Sequence, residues 1–175
     1  KGKKVIVELP EEDTLRPNTT YTINFGTAVK DLHEDNPADN LRFVFSTGDY
    51  LDSLTVTGFV FDAFTGEPVE KISVMLYEST ADSVVRKERP YYFARTNKTG
   101  QFTIQNVRSG AFKVAAIDDA SGDLKWDGQN ERIGFPDGLL NLSDTVKAQV
   151  ALRLFKNQAK RRLIDSKTIR FGLEK

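Results

Sequence analysis

The sequence contains no cysteine and only one histidine, and these two shortages narrow the functions open to it. Without cysteine there is no disulfide, no thiolate nucleophile and no sulfur ligand for a metal. Lys plus Arg and Asp plus Glu both total 25, so the chain has no net charge with which to attract nucleic acid. We therefore expect no nucleic-acid partner.

Long hydrophobic runs are also missing. No apolar stretch approaches the roughly 20 residues of a membrane-spanning helix, so no transmembrane segment is expected. The chain opens at Lys1 without Met or a signal-like stretch, and any targeting signal or lipid anchor is expected upstream. Apolar and aromatic residues are nevertheless plentiful. Hydrophobic residues make up 39% of the chain, including twelve Phe and five Tyr, which is enough for a packed core.

Apolar residues alternate with polar ones near the N-terminus, which is typical of strands with one buried face. The predicted strands are separated by polar turns, and prolines at both ends of residues 10–17 stop strand propagation. The sets that share a face are Val5, Val7 and Leu9, then Tyr21, Ile23 and Phe25, then Leu41, Phe43 and Phe45.

A second and longer series of alternating residues begins at Leu54. Its first strand carries Val56 and Val60 on one face, with Gly58 where a Cβ atom would crowd a neighbouring backbone. Residues 79–89 read as a charged loop, which we expect to be mobile. The last strand shows the cleanest alternation. Its apolar face carries Val146, Ala148, Val150, Leu152 and Leu154.

Residues 15–23 (LRPNTTYTI), 28–31 (AVKD) and 43–48 (FVFSTG) resemble the bacterial immunoglobulin-like domain of surface-layer proteins. The resemblance implies that residues 1–49 are the C-terminal part of such a domain, because only three of at least seven strands are predicted. The opening strands would lie upstream, come from another chain or have been lost. We expect the apolar face of this part to be buried. Its members are Ile23, Phe25, Phe43 and Phe45.

Residues 58–69 (GFVFDAFTGEPV), 99–104 (TGQFTI) and 109–114 (SGAFKV) resemble the carboxypeptidase regulatory-like domain. This resemblance implies a seven-stranded, prealbumin-like β-sandwich over residues 54–155, and a non-catalytic accessory module common in envelope proteins. The basic tail, 156–175, is expected to begin another strand or module. The predicted fold class is all-β, a partial Ig-like sandwich followed by a prealbumin-like sandwich.

Catalytic residues are not expected. His33 is the sole histidine and lies in a polar loop, and no Gly-x-Ser-x-Gly motif supplies a nucleophile for it. The enzymes on sandwiches that resemble the second module depend on several histidines, or on His and Tyr ligands to iron. We therefore predict no enzymatic activity.

An acidic loop, residues 118–131, is the strongest candidate for a metal site. Oxygen-bearing side chains recur at nearly every second residue, as in a calcium-binding loop of the EF-hand type. The candidate ligands of Ca²⁺ are Asp119, Ser121, Asp123, Asp127 and Glu131.

This calcium-loop pattern has two defects. Leu124 stands where the sharp turn needs glycine, and Asn130 stands where the terminal bidentate acid belongs. The alternative is a solvated turn whose Asp side chains bond to local backbone N–H groups. No other cofactor is expected.

Two groups of aromatic residues are candidate contact sites. Trp126, with Tyr91 and Tyr92, could form a platform for a sugar ring, or could pack within the protein. The phenylalanines opposite the face of Val56 and Val60 are left over once the core is assigned, and we predict that they meet another module or protein. They are Phe59, Phe61 and Phe64.

These observations favour a non-catalytic segment of a larger bacterial cell-envelope protein, acting as spacer and protein-interaction module. The expected partners are other envelope proteins or neighbouring domains of the same chain. The expected location is the cell envelope, in the periplasm or at the outer-membrane surface. The alternative is a carbohydrate-binding or adhesive module.

Overall fold

The computed structural model describes residues 6–8, 14–26, 28–30, 41–128, 130–143 and 148–156, and these residues form almost only β-structure. The predicted all-β class is confirmed. A single helical turn, α1 (Val84–Lys87), interrupts the succession of strands. The predicted strand at Val5 to Leu9 is described only at residues 6–8, which are not in a strand. The basic tail beyond residue 156 lies outside the described residues.

Ten strands are present in the described part of the chain. Two form a separate antiparallel ribbon, here called the N-terminal ribbon, and eight form one large sheet. The ribbon consists of β1 (Thr20–Asn24) and β2 (Arg42–Ser46). The large sheet consists of β3 (Leu54–Asp62), β4 (Ser73–Tyr77), β5 (Tyr92–Arg95), β6 (Gln101–Val107), β7 (Gly110–Ile117), β8 (Arg132–Gly134), β9 (Leu140–Leu142) and β10 (Ala148–Lys156).

Hydrogen bonding connects the strands of the large sheet in the order β5-β4-β7-β8-β10-β3-β6, with β9 attached to β7. The sheet folds over so that β5 and β6, its two ends, approach each other. The large sheet has eight described strands, where the carboxypeptidase regulatory-like resemblance implied seven. Two of them, β8 and β9, have three residues each and are too short to show alternation in the sequence. β3 and β10 are the first and last strands of this sheet in chain order; they are neighbours in the sheet and run parallel.

The main core lies between the two halves of the folded sheet and follows the predicted alternation. Val56 and Val60 of β3 are fully buried, and so are Leu152 and Leu154 of β10. These side chains meet Phe112 of β7 in the same cluster. Burying a side chain of this size contributes about 1.5–3 kcal/mol. Because apolar residues alternate with polar ones along β3 and β10, this gain determines which face of each strand points into the core.

The N-terminal ribbon has one aromatic face that is only partly covered. Tyr21 pairs with Phe45 and Ile23 pairs with Phe43, so these side chains share a face. Ile23, Phe25 and Phe45 are half-buried, whereas Phe43 is 56% exposed. The expectation that all four apolar residues are buried is therefore only partly met. The physical reason is that a two-stranded ribbon offers these side chains no facing layer among the described residues.

A second, smaller cluster packs on the outside of the large sheet. Met75, Tyr77, Ala115 and Ile117 point away from the main core and are nevertheless buried. They are covered by α1 together with parts of the acidic loop. All five residues of β4 are buried because both faces of this strand are covered.

Residues 79–89, predicted as a charged and mobile loop, contain this covering helix. Val84 and Val85 are buried at 1% and 2% exposure, so the apolar pair anchors the segment to the sheet. The prediction of a charged loop is wrong at these two positions, which belong to α1 and are buried. Two adjacent valines among charged residues are too short a pattern to reveal the contact.

Candidate functional site

The N-terminal ribbon and the large sheet meet at a joint built from polar and aromatic contacts. The guanidinium of Arg16 lies over the ring of Tyr91, 4.6 Å from the ring centroid. The hydroxyls of Thr19 and Tyr91 are 3.5 Å apart. Arg42 of β2 donates a hydrogen bond to the side-chain oxygen of Gln105 on β6. These contacts join the ribbon to both ends of the folded sheet.

The connector between ribbon and sheet, residues 48–53, is held from both sides. The Asp52 N–H donates to the hydroxyl of Thr20 on the ribbon, at 2.9 Å. The Asn106 side-chain amide on β6 donates to the Asp52 carbonyl oxygen at 3.0 Å. At the start of the connector, a Cβ on Gly48 would stand 3.0 Å from the Cα of Asn18, so a side chain there would require Asn18 to shift. A short connector with fixed hydrogen bonds restrains the ribbon.

A cleft of about 920 Å³ opens between the ribbon and strands β5 and β6. Three arginines line it, Arg16, Arg42 and Arg95, and no Asp or Glu is among the described residues that line it. Most of the remaining lining side chains are Thr, Asn, Gln or aromatic. The described lining therefore presents positive charge and hydrogen-bonding groups, while Glu78, outside the lining, interacts electrostatically with Arg16.

Tyr91 and Tyr92 both line the cleft, and their ring centroids are 5.2 Å apart. Tyr92 also packs edge-on against Phe112 of the main core, with centroids 5.9 Å apart. Burial is the main cause that raises the pKa of Tyr92 to about 12. Its hydroxyl accepts a hydrogen bond from the Arg108 N–H at 3.3 Å. Tyr92 is therefore a structural side chain at the floor of the cleft.

Trp126, the third member of the predicted sugar platform, packs elsewhere. It contacts the smaller cluster on the outer face of the sheet. The Arg86 guanidinium covers its ring at 4.0 Å, and its indole N–H donates to the Glu131 carbonyl oxygen at 3.4 Å. The structure thus brings Tyr91 and Tyr92 together and places Trp126 apart from them. Trp126 therefore packs within the protein, which was the alternative to the sugar platform.

The acidic loop is organised by hydrogen bonds from its own backbone. Asp119 accepts from the Gly122 N–H at 2.8 Å and from the Leu124 N–H at 3.1 Å. Asp123 accepts from the Lys125 N–H at 2.9 Å and from the Ser121 hydroxyl at 3.0 Å. Asp side chains bonded to local backbone N–H groups are what the alternative interpretation, a solvated turn, predicts for this loop. Within the described ranges, no three acidic or histidine side chains are grouped as a metal site would require.

Glu131, predicted as a calcium ligand, is a buried residue that ties the acidic loop together. One carboxylate oxygen accepts from the Ala120 N–H at 3.2 Å, and the other accepts from the Asp127 N–H at 2.9 Å. The side chain is only 5% exposed. Sequence reasoning missed this role because the two amides lie eleven and four residues away. Asp127, another predicted calcium ligand, is an exposed residue of the same loop.

The three phenylalanines predicted as a contact surface are placed on the outside of the large sheet and at its adjoining turn. Phe59 and Phe61 are half-buried and stack with ring centroids 6.1 Å apart. Phe64 lies in the turn after β3 and is 84% exposed. On the neighbouring strand β10, Ala151 stands opposite Phe59 and Arg153 stands opposite Phe61. Phe59, Phe61, Phe64 and Ala151 are referred to below as the outer phenylalanine face.

His33 lies outside the described residues, so the structure says nothing about its surroundings. Among the described helices, none has the length and apolar character needed to cross a membrane.

Comparison with known families matches the N-terminal part of this chain. The profile of the family described as "Bacterial Ig-like domain" matches residues 1–47. This match confirms the Ig-like resemblance of that segment. It covers 47 of 175 residues and therefore does not classify the chain as a whole. The resemblance of residues 54–155 to the carboxypeptidase regulatory-like domain stays a prediction.

Solved structures with detectable similarity include two mutants of a type II cohesin–X-dockerin complex from Acetivibrio cellulolyticus, altered at the N-terminal and the C-terminal interface respectively. Both are 16% identical to this chain, with TM-scores of 0.35 and 0.33. They cover 59% and 57% of this chain, which in turn spans 58% and 51% of theirs. Similarity this low carries no argument about fold or function. The comparison with curated proteins found no match.

Proposed function

We propose that this chain is a non-catalytic β-structured segment of a larger bacterial cell-envelope protein, in which it acts as a restrained spacer and as a protein-contact surface. In this proposal residues 1–49 are the end of an Ig-like domain, and residues 54–155 are a carboxypeptidase regulatory-like module. Residues 156–175 lead into a further strand or module. The partners are other envelope proteins or neighbouring domains.

The observation that carries the spacer proposal is the joint at Arg16, Tyr91 and Asp52. Modules joined by a free linker reorient independently, whereas here the linker itself is hydrogen-bonded to both sides. The cation–π contact of Arg16 with Tyr91 adds about 0.5–1 kcal/mol at an exposed site. Several such contacts acting together favour one orientation of the ribbon relative to the sheet.

The outer phenylalanine face supports the contact role. Aromatic side chains are enriched at protein interfaces, where they bury large apolar areas. Phe64, at 84% exposure, and its neighbours on β3 present such area on a side of the sheet that the main core does not use. The envelope location is supported by the Ig-like match. Fractionation of cells that produce the full-length protein tests it.

The spacer proposal is tested by ¹⁵N relaxation on the intact chain. We expect amides of the ribbon and of the large sheet to report one shared rotational correlation time. The double variant Arg16→Ala, Asp52→Pro removes the cation–π contact and the Asp52 N–H, and the two parts should then tumble more independently. Arg153→Ala on the far side of the sheet is the matched control and should change nothing. Independent tumbling in the unaltered chain would contradict the proposal.

The contact role is tested by placing a photo-reactive benzoylphenylalanine at Phe61 or, as a control, at Phe135. Phe135 is 40% exposed and Phe61 is half-buried, so both side chains are at least partly accessible to a partner. We expect a discrete cross-linked envelope protein from position 61 only, and loss of its co-purification in Phe59→Ser, Phe64→Ser. Equal labelling from both positions would indicate random encounters.

A further inference from the structure

Strands β3 and β10 mark the points where the chain enters and leaves the large sheet. β3 begins at Leu54, directly after the connector, and β10 ends at Lys156, where the basic tail begins. The two strands are neighbours in the sheet and run parallel. The entry point at Leu54 and the exit point at Lys156 therefore lie at opposite ends of one parallel pair of strands.

The pairing between β3 and β10 is continuous. It runs from Ala148 opposite Val56 to Leu154 opposite Asp62, with every residue between them in register. Beyond this last pair, the Ala63 N–H donates to the Leu154 carbonyl oxygen at 2.9 Å, which extends the ladder past the end of β3. Hydrogen bonds in a parallel ladder are evenly spaced along the strands, so this pair is joined by one unbroken row of them.

β3 provides most of the backbone pairing that holds β10 in the sheet. The other described neighbour of β10 is β8, which pairs with it only at Phe155 and Lys156. The inward side chains of β10, among them Leu152 and Leu154, are buried in the main core. Withdrawing β10 therefore requires breaking the ladder with β3 and pulling these side chains out of the core.

Tension along the chain loads this pair of strands in shear. A pull on the chain before Leu54 draws β3 in one direction, and a pull on the chain after Lys156 draws β10 in the opposite direction, both along the strand axes. The hydrogen bonds of the ladder then share the load and must break almost together. A pull that separates the strands sideways would break the same bonds one after another, because each bond in turn would carry the whole load.

We propose that residues 54–156 form a load-bearing module, in which the β3–β10 pair resists tension that passes along the polypeptide. This inference rests on the proposed spacer role, because a spacer that joins two envelope components transmits force between them. It adds a function that neither the joint nor the outer phenylalanine face performs. The relevant quantity is the rate of forced unfolding, which is determined by the unfolding barrier rather than by equilibrium stability.

Single-molecule force spectroscopy on the intact chain tests this module. The chain has no cysteine, so two introduced thiols define the attachment points. The pair Ser53→Cys and Lys156→Cys loads the strands in shear, whereas Thr65→Cys and Lys156→Cys places both handles at the same end of the strands and unzips them. All three altered residues are exposed.

We expect the native state to last at least about tenfold longer in shear than in unzipping at the same constant force. This is the effect of a few hydrogen bonds breaking together rather than singly. Unfolding in shear should release roughly 300–350 Å of chain, which identifies the event as unfolding of the whole module. Urea unfolding without load should give the same stability for both thiol pairs, so that a difference under load reflects the direction of pulling.

Two matched variants separate the β3–β10 pair from the general stability of the core. Val150→Ala removes two methyl groups from β10, and Val114→Ala removes the same two from β7. Both valines are buried in the main core, so both variants should be less stable in urea. Under shear, only Val150→Ala should shorten the lifetime, by about tenfold, because Val114 stays in place until the pair has separated.

Equal lifetimes in the two pulling directions would refute the load-bearing role, and so would equal effects of the two valine variants under shear. The attachment at residue 53 leaves the ribbon outside the loaded segment, so this result is independent of the joint. A weak pair in a chain whose ribbon and sheet tumble together, as the relaxation measurement above reports, would refute this inference and leave the spacer intact. A resistant pair in a chain whose parts tumble independently would do the reverse.

Discussion

The backbone carbonyl oxygen of Val150 occupies the space where a side chain on Gly58 would begin. The two residues face each other on the parallel strands β3 and β10. On its other side, a Cβ at position 58 would stand 2.7 Å from Cε1 of Phe102. The absence of a side chain at Gly58 therefore allows β10 and the Phe102 ring to close over the main core.

Gly58→Ala should lower the free energy of unfolding by about 2–3 kcal/mol, because the added methyl group meets a backbone atom that cannot rotate away. Urea unfolding measures the loss. Gly66→Ala is the control, since Gly66 has φ of +73° but open space around its Cβ position. That change should cost only about 1 kcal/mol, the strain of a left-handed backbone. Equal losses would show that crowding at Gly58 is not the cause.

Glu131→Gln should destabilise the acidic loop, since both carboxylate oxygens accept hydrogen bonds from backbone amides and an amide NH₂ cannot replace one of them. A buried donor left without its acceptor costs about 1–3 kcal/mol. Hydrogen exchange at the Ala120 and Asp127 amides should accelerate in this variant. Asp127→Asn removes an exposed carboxylate from the same loop and should have little effect. Similar exchange in both variants would contradict the role of Glu131.

Calcium at millimolar concentration should not raise the melting temperature, because the carboxylates of Asp119, Asp123 and Glu131 already accept hydrogen bonds from the loop. Thermal melting with and without Ca²⁺, followed by chelation, measures this. A rise that chelation reverses and that Asp119→Asn removes would instead establish the calcium site.

The main core could be predicted from the sequence because it depends on local alternation. In β3 the inward positions are Val56, Gly58 and Val60, and in β10 the residues from Val150 to Leu154 alternate in the same way. The buried face of both strands can therefore be identified from the sequence before any contact is known. The outward placement of Phe59 and Phe61 follows from the same rule. Gly58 could be assigned to a close backbone approach for a similar reason, since glycine within a strand weakens it without such a need.

The smaller cluster and the cleft could not be predicted in this way. Ala115 and Ile117 of β7 are buried, and so are their neighbours in sequence, so the strand shows no alternation at its end. Their cover comes from Val84 and Trp126, which no periodic pattern connects to β7. The cleft brings together Arg16, which precedes β1, Arg42 of β2 and Arg95 of β5, and these residues become neighbours only through tertiary structure.

Asp62 should titrate below the ordinary aspartate pKa of 3.8. Hydrogen bonds from the Thr65 and Phe64 N–H groups lower its pKa, and the Arg132 guanidinium, 3.0 Å away, lowers it further. Since the pKa is depressed in the folded state, the stabilisation is complete above pH 3.8 and is lost as the pH falls through the folded value. Carboxyl ¹³C shifts of Asp62 measure the pKa directly.

Two variants divide the causes of the Asp62 shift. Arg132→Gln should raise the pKa only partly, since the turn amides remain. Asp62→Asn should remove part of the loss of stability that occurs as the pH falls below about 4, as measured by urea unfolding. An Asp62 pKa at or above 3.8 in the unaltered chain would contradict this account.

Arg86 and Trp126 should be energetically coupled, because the guanidinium covers the indole ring at 4.0 Å while the ring packs on the smaller cluster. A double-mutant cycle with Arg86→Gln and Trp126→Leu should give a coupling of about 0.5–1 kcal/mol, as expected for a cation–π contact near the surface. Trp126 is the only tryptophan, so its fluorescence also reports directly on this cluster. Arg86→Gln should shift its emission, whereas Arg89→Gln, two residues beyond the end of α1, should leave it unchanged. A coupling near zero would mean that the ring is held by its apolar neighbours alone.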